Sequence, residues 1–300
     1  MKISNKKRAF RIICAIMIVL SLTVSYAGVP GIARAATVKT TYEKTKVKIS
    51  SKWKYAKNSK IKSGKAILYT VTSENAKNIT VCINAGHGTN GGESKKTLCH
   101  PDGSPKIVSG STKAGATYAV AVAGGMTFNN GTAEKTATLK VAKAARKLLL
   151  KKGYNVLMIR EKSDVQLDNI ARTLIANHYA DCHIAIHYDS DGLSYDKGCF
   201  FCSIPNSKSY KNMEPVKSHW KEHMLLGKKA IAGLVKAGIK KKGDGKLPMD
   251  LTQTSYSTIP SIDLEVGNQC SDISDKQVEK VAKGIYYGVV KFFKAHPVNN

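Results

Sequence analysis

The stretch Ile79-Thr80-Val81-Cys82-Ile83-Asn84-Ala85-Gly86-His87-Gly88 decides how the rest of the chain is read. Its first five residues are an apolar run of the kind that makes a short buried strand. The run stops at a histidine held between two glycines. Glycine allows φ > 0 and close backbone approach, at an entropic cost, so His87 sits on a tight turn at a strand's exit. Whether it is an ordinary turn residue or part of a site depends on what the other strand ends carry.

Downstream, strands alternate with helices. Glu134 to Lys152 has Ala137, Val141, Ala145, Leu148 and Leu149 on one helical face and Gly153 as its stop. Asn155 to Ile159 is a strand and Leu167 to Tyr179 a helix. Cys182 to His187 and Gly198 to Ile204 are strands, and His219 to Ala237 is helical. Pro260 to Leu264 is the last strand. The final helix opens with a capping box, Ser274 and Gln277, and with Ile273 stapled on Val278. This alternation predicts an α/β fold, a mostly parallel sheet with helices on both faces. Residues 79–296 form a single catalytic domain of about 220 residues, large enough to bury such a core.

Upstream the composition changes. Lys2, Lys6, Lys7, Arg8 and Arg11 precede an apolar run from Ile12 to Val29, and Ala33-Arg34-Ala35 follows. A basic start, an apolar core and an A-x-A site predict a secretory signal peptide over residues 1–35. The expected mature chain is secreted, with no stable membrane insertion. Residues 36–78 are rich in Lys, Ser and Thr and read as a basic linker or a small appended segment. Loss of six basic residues and no acidic ones with the leader lowers the net charge from +27 to +21. Such a surface attracts polyanions. Export and the lack of any zinc-finger or RRM signature exclude nucleic acid and favour an anionic cell wall. Cys82 and Cys182 lie in apolar strands and read as buried thiols. Cys199 and Cys202 are three apart in a strand and point to opposite faces, against a disulfide between them.

The polar residues at the strand exits and helix starts are His87, Glu134, His187 and Glu265. In a parallel α/β sheet the C-terminal strand ends share one edge, where ligands bind. Two imidazoles and one carboxylate there give zinc three ligands and leave a fourth position for water. A second carboxylate, not bound to the metal, can move the proton. Glu93 and His100 lie between His87 and Glu134 and compete as ligands. His219-Trp220-Lys221-Glu222-His223 is an H-x-x-E-H string, but it sits on a lysine-rich helix with no third ligand placed. His183 shares a strand face with His187.

Asn84-Ala85-Gly86-His87-Gly88, Glu134-Lys135, Ala180-Asp181 ahead of Ile186-His187, and Ile259-Pro260 ahead of Leu264-Glu265-Val266-Gly267 together resemble the zinc-dependent N-acetylmuramoyl-L-alanine amidases, the bacterial division and sporulation cell-wall type. Arg160-Glu161-Lys162-Ser163-Asp164 resembles that family's "TRDTD" segment. Leu167, Arg172 and Ala176-Asn177 resemble its "L-x4-R-x3-AN" helix. The resemblance spans Ile79 to Phe293. It implies a six-stranded α/β fold, zinc held by His87, Glu134 and His187, and Glu265 as the catalytic carboxylate. The implied substrate is peptidoglycan, cut at the amide between N-acetylmuramic acid and L-alanine, as by an autolysin. Asn84, Arg160 and Arg172 are the expected substrate contacts, and anionic wall polymers are expected further partners. The departures are Asn84 in place of the "DAGHG" aspartate, a longer gap from His87 to Glu134, and no phenylalanine after Glu265. A zinc-retaining, peptidoglycan-binding pseudoenzyme and a zinc peptidase cutting within the stem peptide stay open as alternatives.

Overall fold

A strand this apolar needs cover on both sides, and the computed structural model shows how it is covered. The structure describes residues 40–110 and 112–298; the expected leader, residues 1–35, lies outside them. In chain order the elements are β1 (Tyr42–Val47), β2 (Ala66–Val71), β3 (Thr80–Ala85), β4 (Lys96–Leu98), β5 (Tyr118–Val120), α1 (Glu134–Lys151), β6 (Asn155–Met158), α2 (Asn169–Tyr179), β7 (Cys182–Asp189), β8 (Cys199–Ser203), α3 (Lys208–Asn212), α4 (Val216–Lys236), β9 (Lys241–Pro248), α5 (Thr252–Tyr256), β10 (Ser261–Asn268) and α6 (Asp275–Ala295). The central sheet has eight strands in the order β1-β2-β6-β3-β7-β10-β8-β9, and β4 and β5 form a separate pair. The four middle strands, β6, β3, β7 and β10, are mutually parallel. β2 and β8 flank them in antiparallel fashion.

The predicted α/β architecture is what the chain adopts, with eight strands where the resemblance implies six. Alternate residues along each strand serve opposite faces. Ile184, Ile186, Leu264 and Val266 face a core shared with Val141, Leu149, Leu226, Leu234, Ile285 and Phe292 from α1, α4 and α6. Cys82, Leu157 and Ile159 face the other core, with Ile170, Leu174 and Ile175 of α2. Helix starts follow local chemistry. Asp168 caps α2 by accepting from Ala171 N at 2.8 Å, and Ser274 caps α6 by accepting from Gln277 N.

One expectation is corrected. The described part of 36–78 is not a linker, because β1 and β2 are strands of the central sheet. Ala66-Ile67-Leu68-Tyr69-Thr70-Val71 pairs with β6 through Leu68 and Leu157. β1 and β9 are the two outermost strands, and both carry exposed lysines. Lysine on an edge strand discourages further pairing and also hides the strand from a hydrophobicity pattern.

The connections from β3 run to β6 on one side, and the chain then crosses to β7 on the other. A crevice opens between strands whose connections diverge in this way, at their C-terminal ends. His87 leaves β3 at that point and His187 lies on β7.

Candidate active site

Register alone brings the first pair together. β7 and β10 run parallel with His187 opposite Glu265. Neighbouring strands lie about 4.8 Å apart, so the two side chains rise from the same face side by side. His87 enters from the turn after β3 with φ 61°, a left-handed conformation uncommon outside glycine. Gly86 is required at the preceding position. A Cβ there would lie 2.3 Å from Cε1 of His187, so the backbone passes directly beneath the imidazole.

Glu134 arrives from the first turn of α1, where the helix dipole favours a carboxylate. Its Oε2 accepts from Met126 N at 3.0 Å and its Oε1 from Tyr188 N at 3.0 Å. Two backbone amides thus fix the carboxylate while its oxygens face the histidines. His87 Nε2 lies 2.9 Å from Glu134 Oε2, and His187 Nδ1 lies 3.2 Å from Glu134 Oε1 and 3.0 Å from His87 Nε2. The His87 Nδ1 lies 2.7 Å from the Ala123 carbonyl oxygen. A carbonyl only accepts, so Nδ1 donates to it and fixes the ring with Nε2 turned inward. Three donor atoms of metal-ligand type therefore lie within 4.8 Å of one another.

Of the two competing residues, His100 is buried elsewhere, with Nε2 on Asp250 Oδ1 at 2.8 Å. Glu93 accepts from Gly124 N and lines the cavity without joining the trio. In the H-x-x-E-H string, His223 is buried and accepts from Ser261 N through Nδ1, so that histidine supports the start of β10. His183 is wholly buried, and burial brings its ring down to about 3.

Charge at the centre favours a cation. Burial would raise the Glu134 carboxyl, but hydrogen bonds from His187 and His87 outweigh it and hold the group well below the carboxylate range. Burial would lower the His187 ring, yet Asp263, Glu134 and Glu265 push it up to about 10. Burial first, and the neighbouring Asp263 second, push Glu265 well above the carboxylate range. Glu265 Oε2 and Asp263 Oδ1 are buried without a hydrogen-bond partner. Uncompensated carboxylate oxygens beside two imidazoles match what a divalent metal relieves. Asp263 is a residue the sequence reading passed over, although it repeats Glu265 two positions earlier on the same strand face. Its Oδ2 lies 3.7 Å from His187 Nε2.

The three expected substrate contacts are used differently. Arg160 is buried and donates to the Gly86, Lys135 and Lys162 carbonyls. Arg172 donates to Asn84 Oδ1 and to the Leu167, Ala85 and His87 carbonyls, as well as to Thr89 Oγ1. Burial brings Arg172 down to about 9. Both guanidinium groups lock the turn that carries His87. Arg160 does not line the cavity; Asn84 and Arg172 do.

The cavity measures about 680 Å³ and contains His87, Glu134, His187 and Glu265 together. Its other wall comes from the long segment between β3 and α1, including Val122, Gly124 and Gly125. A parallel-strand floor with two histidines and two glutamates in one open cavity defines a hydrolase-type α/β domain. The N-acetylmuramoyl-L-alanine amidase family profile matches residues 81–291. The chain belongs to that family and is an amidase of peptidoglycan. Solved structures of similar fold include the N-acetylmuramyl-L-alanine amidase Ami1 from Mycobacterium smegmatis, with TM-score 0.58 and 17% identity over 73% of this chain and 98% of that one. An N-acetylmuramoyl-L-alanine amidase from Clostridium difficile 630 gives 0.52 and 19% over 74% and 99%. AmiC2 of Nostoc punctiforme gives 0.52 and 16% over 73% and 99%. No curated protein matches the chain.

Proposed function

We propose that the chain is a secreted zinc amidase that cuts peptidoglycan between N-acetylmuramic acid and L-alanine, with zinc held by His87, Glu134 and His187 and Glu265 as the catalytic carboxylate. The observation that carries this reading is the convergence of the two imidazoles and Glu134 beside a buried, unpartnered Glu265 oxygen. Zinc in such a site lowers the pKa of water toward 7 and polarises a carbonyl. The Ala123 carbonyl takes Nδ1 of His87 and leaves Nε2 as the nitrogen that would face a metal, and Glu134 is held ionised, as a carboxylate ligand must be. Glu265 stands opposite His187. From there it takes the proton of the attacking water and returns it to the nitrogen of the departing L-alanyl group. The cleaved bond is the lactyl carbonyl–nitrogen amide, and the products are a free lactyl carboxylate and a peptide with a free amino group. A leader over residues 1–35 delivers the enzyme to the wall, where its basic surface favours anionic polymers.

The test is mass spectrometry of digested peptidoglycan with metal analysis on the same sample. Intact stem peptides beginning with L-alanine, and about one zinc per chain, are expected. Fragments cut inside the stem peptide would overturn the assignment in favour of a peptidase. Bound zinc without any cleavage would make the chain a binding protein.

A further inference from the structure

The segment between His87 and Glu134 brings into the cavity a cation for which the catalytic centre has no use. Lys106 is 5% exposed and lines the cavity. Among the described residues its ammonium makes no hydrogen bond and no ion pair, and its charge acts on the Cys99 thiol, which it draws down against burial. A lysine is rarely buried to this degree, and the Lys106 ammonium keeps its remaining exposure at the cavity rather than taking a protein partner. The lining guanidinium of Arg172 spends its donors on protein oxygens. Lys106 is therefore the one uncommitted cation among the described lining residues, in a cavity otherwise rich in carboxylates.

Its position is built. The Lys106 amide donates to the Ala116 carbonyl at 2.9 Å, and its carbonyl accepts from Gly115 N at 2.8 Å. The next residue, Ile107, donates its amide to Asp250 Oδ2 at 2.7 Å. The other oxygen of Asp250 holds His100, and Asp250 is fully buried. The lysine's own backbone is thus fixed within the segment and the next residue is tied to the main domain, which holds Lys106 at the cavity wall.

We propose that Lys106 is a specificity-determining residue that binds the free α-carboxylate of the second residue in the substrate's peptide portion. The proposal rests on the amidase reading and adds to it which peptides are preferred. Peptide carboxylates are the acceptors that a muramyl-peptide offers to an ammonium. A free carboxylate in that place completes an ion pair, whereas an amidated one leaves the lysine buried and unpaired.

The experiment compares N-acetylmuramoyl-L-alanyl-D-glutamate with its α-amide, N-acetylmuramoyl-L-alanyl-D-isoglutamine, on the zinc-loaded full chain. Wild type is expected to favour the free acid in kcat/KM by about ten- to a hundredfold, the range for a hydrogen bond to a charged group. Lys106→Met should bring that ratio close to one, mostly through KM, and Lys106→Arg should keep part of it. In parallel, calorimetry measures binding of the peptides L-alanyl-D-glutamate and L-alanyl-D-isoglutamine to wild type and Lys106→Met. The acid should bind more tightly to wild type only. An unchanged preference in Lys106→Met, or no preference in wild type, overturns the proposal. If neither muramyl substrate is cut by wild type, the amidase reading fails, and the binding comparison still decides the lysine.

Discussion

On one side of the cavity, β3, β7 and β10 set His87, His187 and Glu265 by strand register. On the other, residues 89–131 set Lys106, Ala123 and Gly125 through turns and a few polar ties to the main domain. The first side is redundant. His187 and Glu265 stay aligned because a whole ladder from Ser261↔His183 onward is aligned. The second is held by separate ties rather than by a ladder. Asn90 N donates to Asp164 Oδ1, Ile107 N to Asp250 Oδ2, Asn129 N to the Gln269 carbonyl and Asn169 N to the Ala121 carbonyl. Chemistry common to every substrate belongs on the rigid side, and selection among substrates on the side that tolerates change.

The comparison breaks most visibly at the ligands. His187→Ala is expected to lose the metal and all measurable turnover, read by metal analysis after dialysis and by muropeptide release. Full metal retention would remove His187 from the site. Glu265→Gln should keep the metal and the fold and lose about two to four orders of magnitude in kcat. Near-normal cleavage by this variant would assign the proton to another group, Asp263 first. Gly86→Ala puts a methyl 2.3 Å from His187 Cε1. The ring must shift, and metal affinity should fall about 10- to 100-fold, the cost of disturbing the groups that orient a ligand. Competition against a chromophoric chelator measures it, and wild-type affinity would show that the turn yields easily.

Asp250→Asn sharpens the contrast from the other side. The amide oxygen can still accept from Ile107 N, and its NH₂ can donate to His100 Nε2 once the ring carries its hydrogen on Nδ1 toward Ser104 Oγ. We expect a cost of about 1 kcal/mol, the difference between a charged and a neutral acceptor, with new proteolytic cuts in 89–131 and unchanged metal content. A loss of metal equal to that in Gly86→Ala would mean that the two sides are not separable.

The same contrast explains what could be read in advance. Alternation of apolar runs with helical faces predicts β3, α1, β6, α2, β7, β8, α4, β10 and α6, because these elements bury continuous apolar stripes. β1 and β9 carry lysines and, in β9, two glycines, so only pairing to a neighbour makes them strands. β2 is apolar enough to have been recognised, but its lysine- and serine-rich surroundings mask it. Of the proposed ligands, His87 and His187 are legible as polar groups ending apolar strands and Glu134 as the acid that opens a helix. The tasks of Arg160 and Arg172 are not, since an arginine that holds a turn and one that holds a substrate look alike in sequence. Lys106 sits in a stretch without periodicity, and only the folded cavity shows that it is buried.

His87 and Glu134 are the two ends of the inserted segment, with 46 residues between them. A metal gripping both would be a chemical bridge across a chain loop, comparable in effect to a disulfide. On the chain-entropy description, closing a loop of that size removes about 4 kcal/mol of freedom from the unfolded ensemble. Metal supply then becomes a thermostat for the whole inserted segment, whose amides should exchange with solvent more slowly as the site fills.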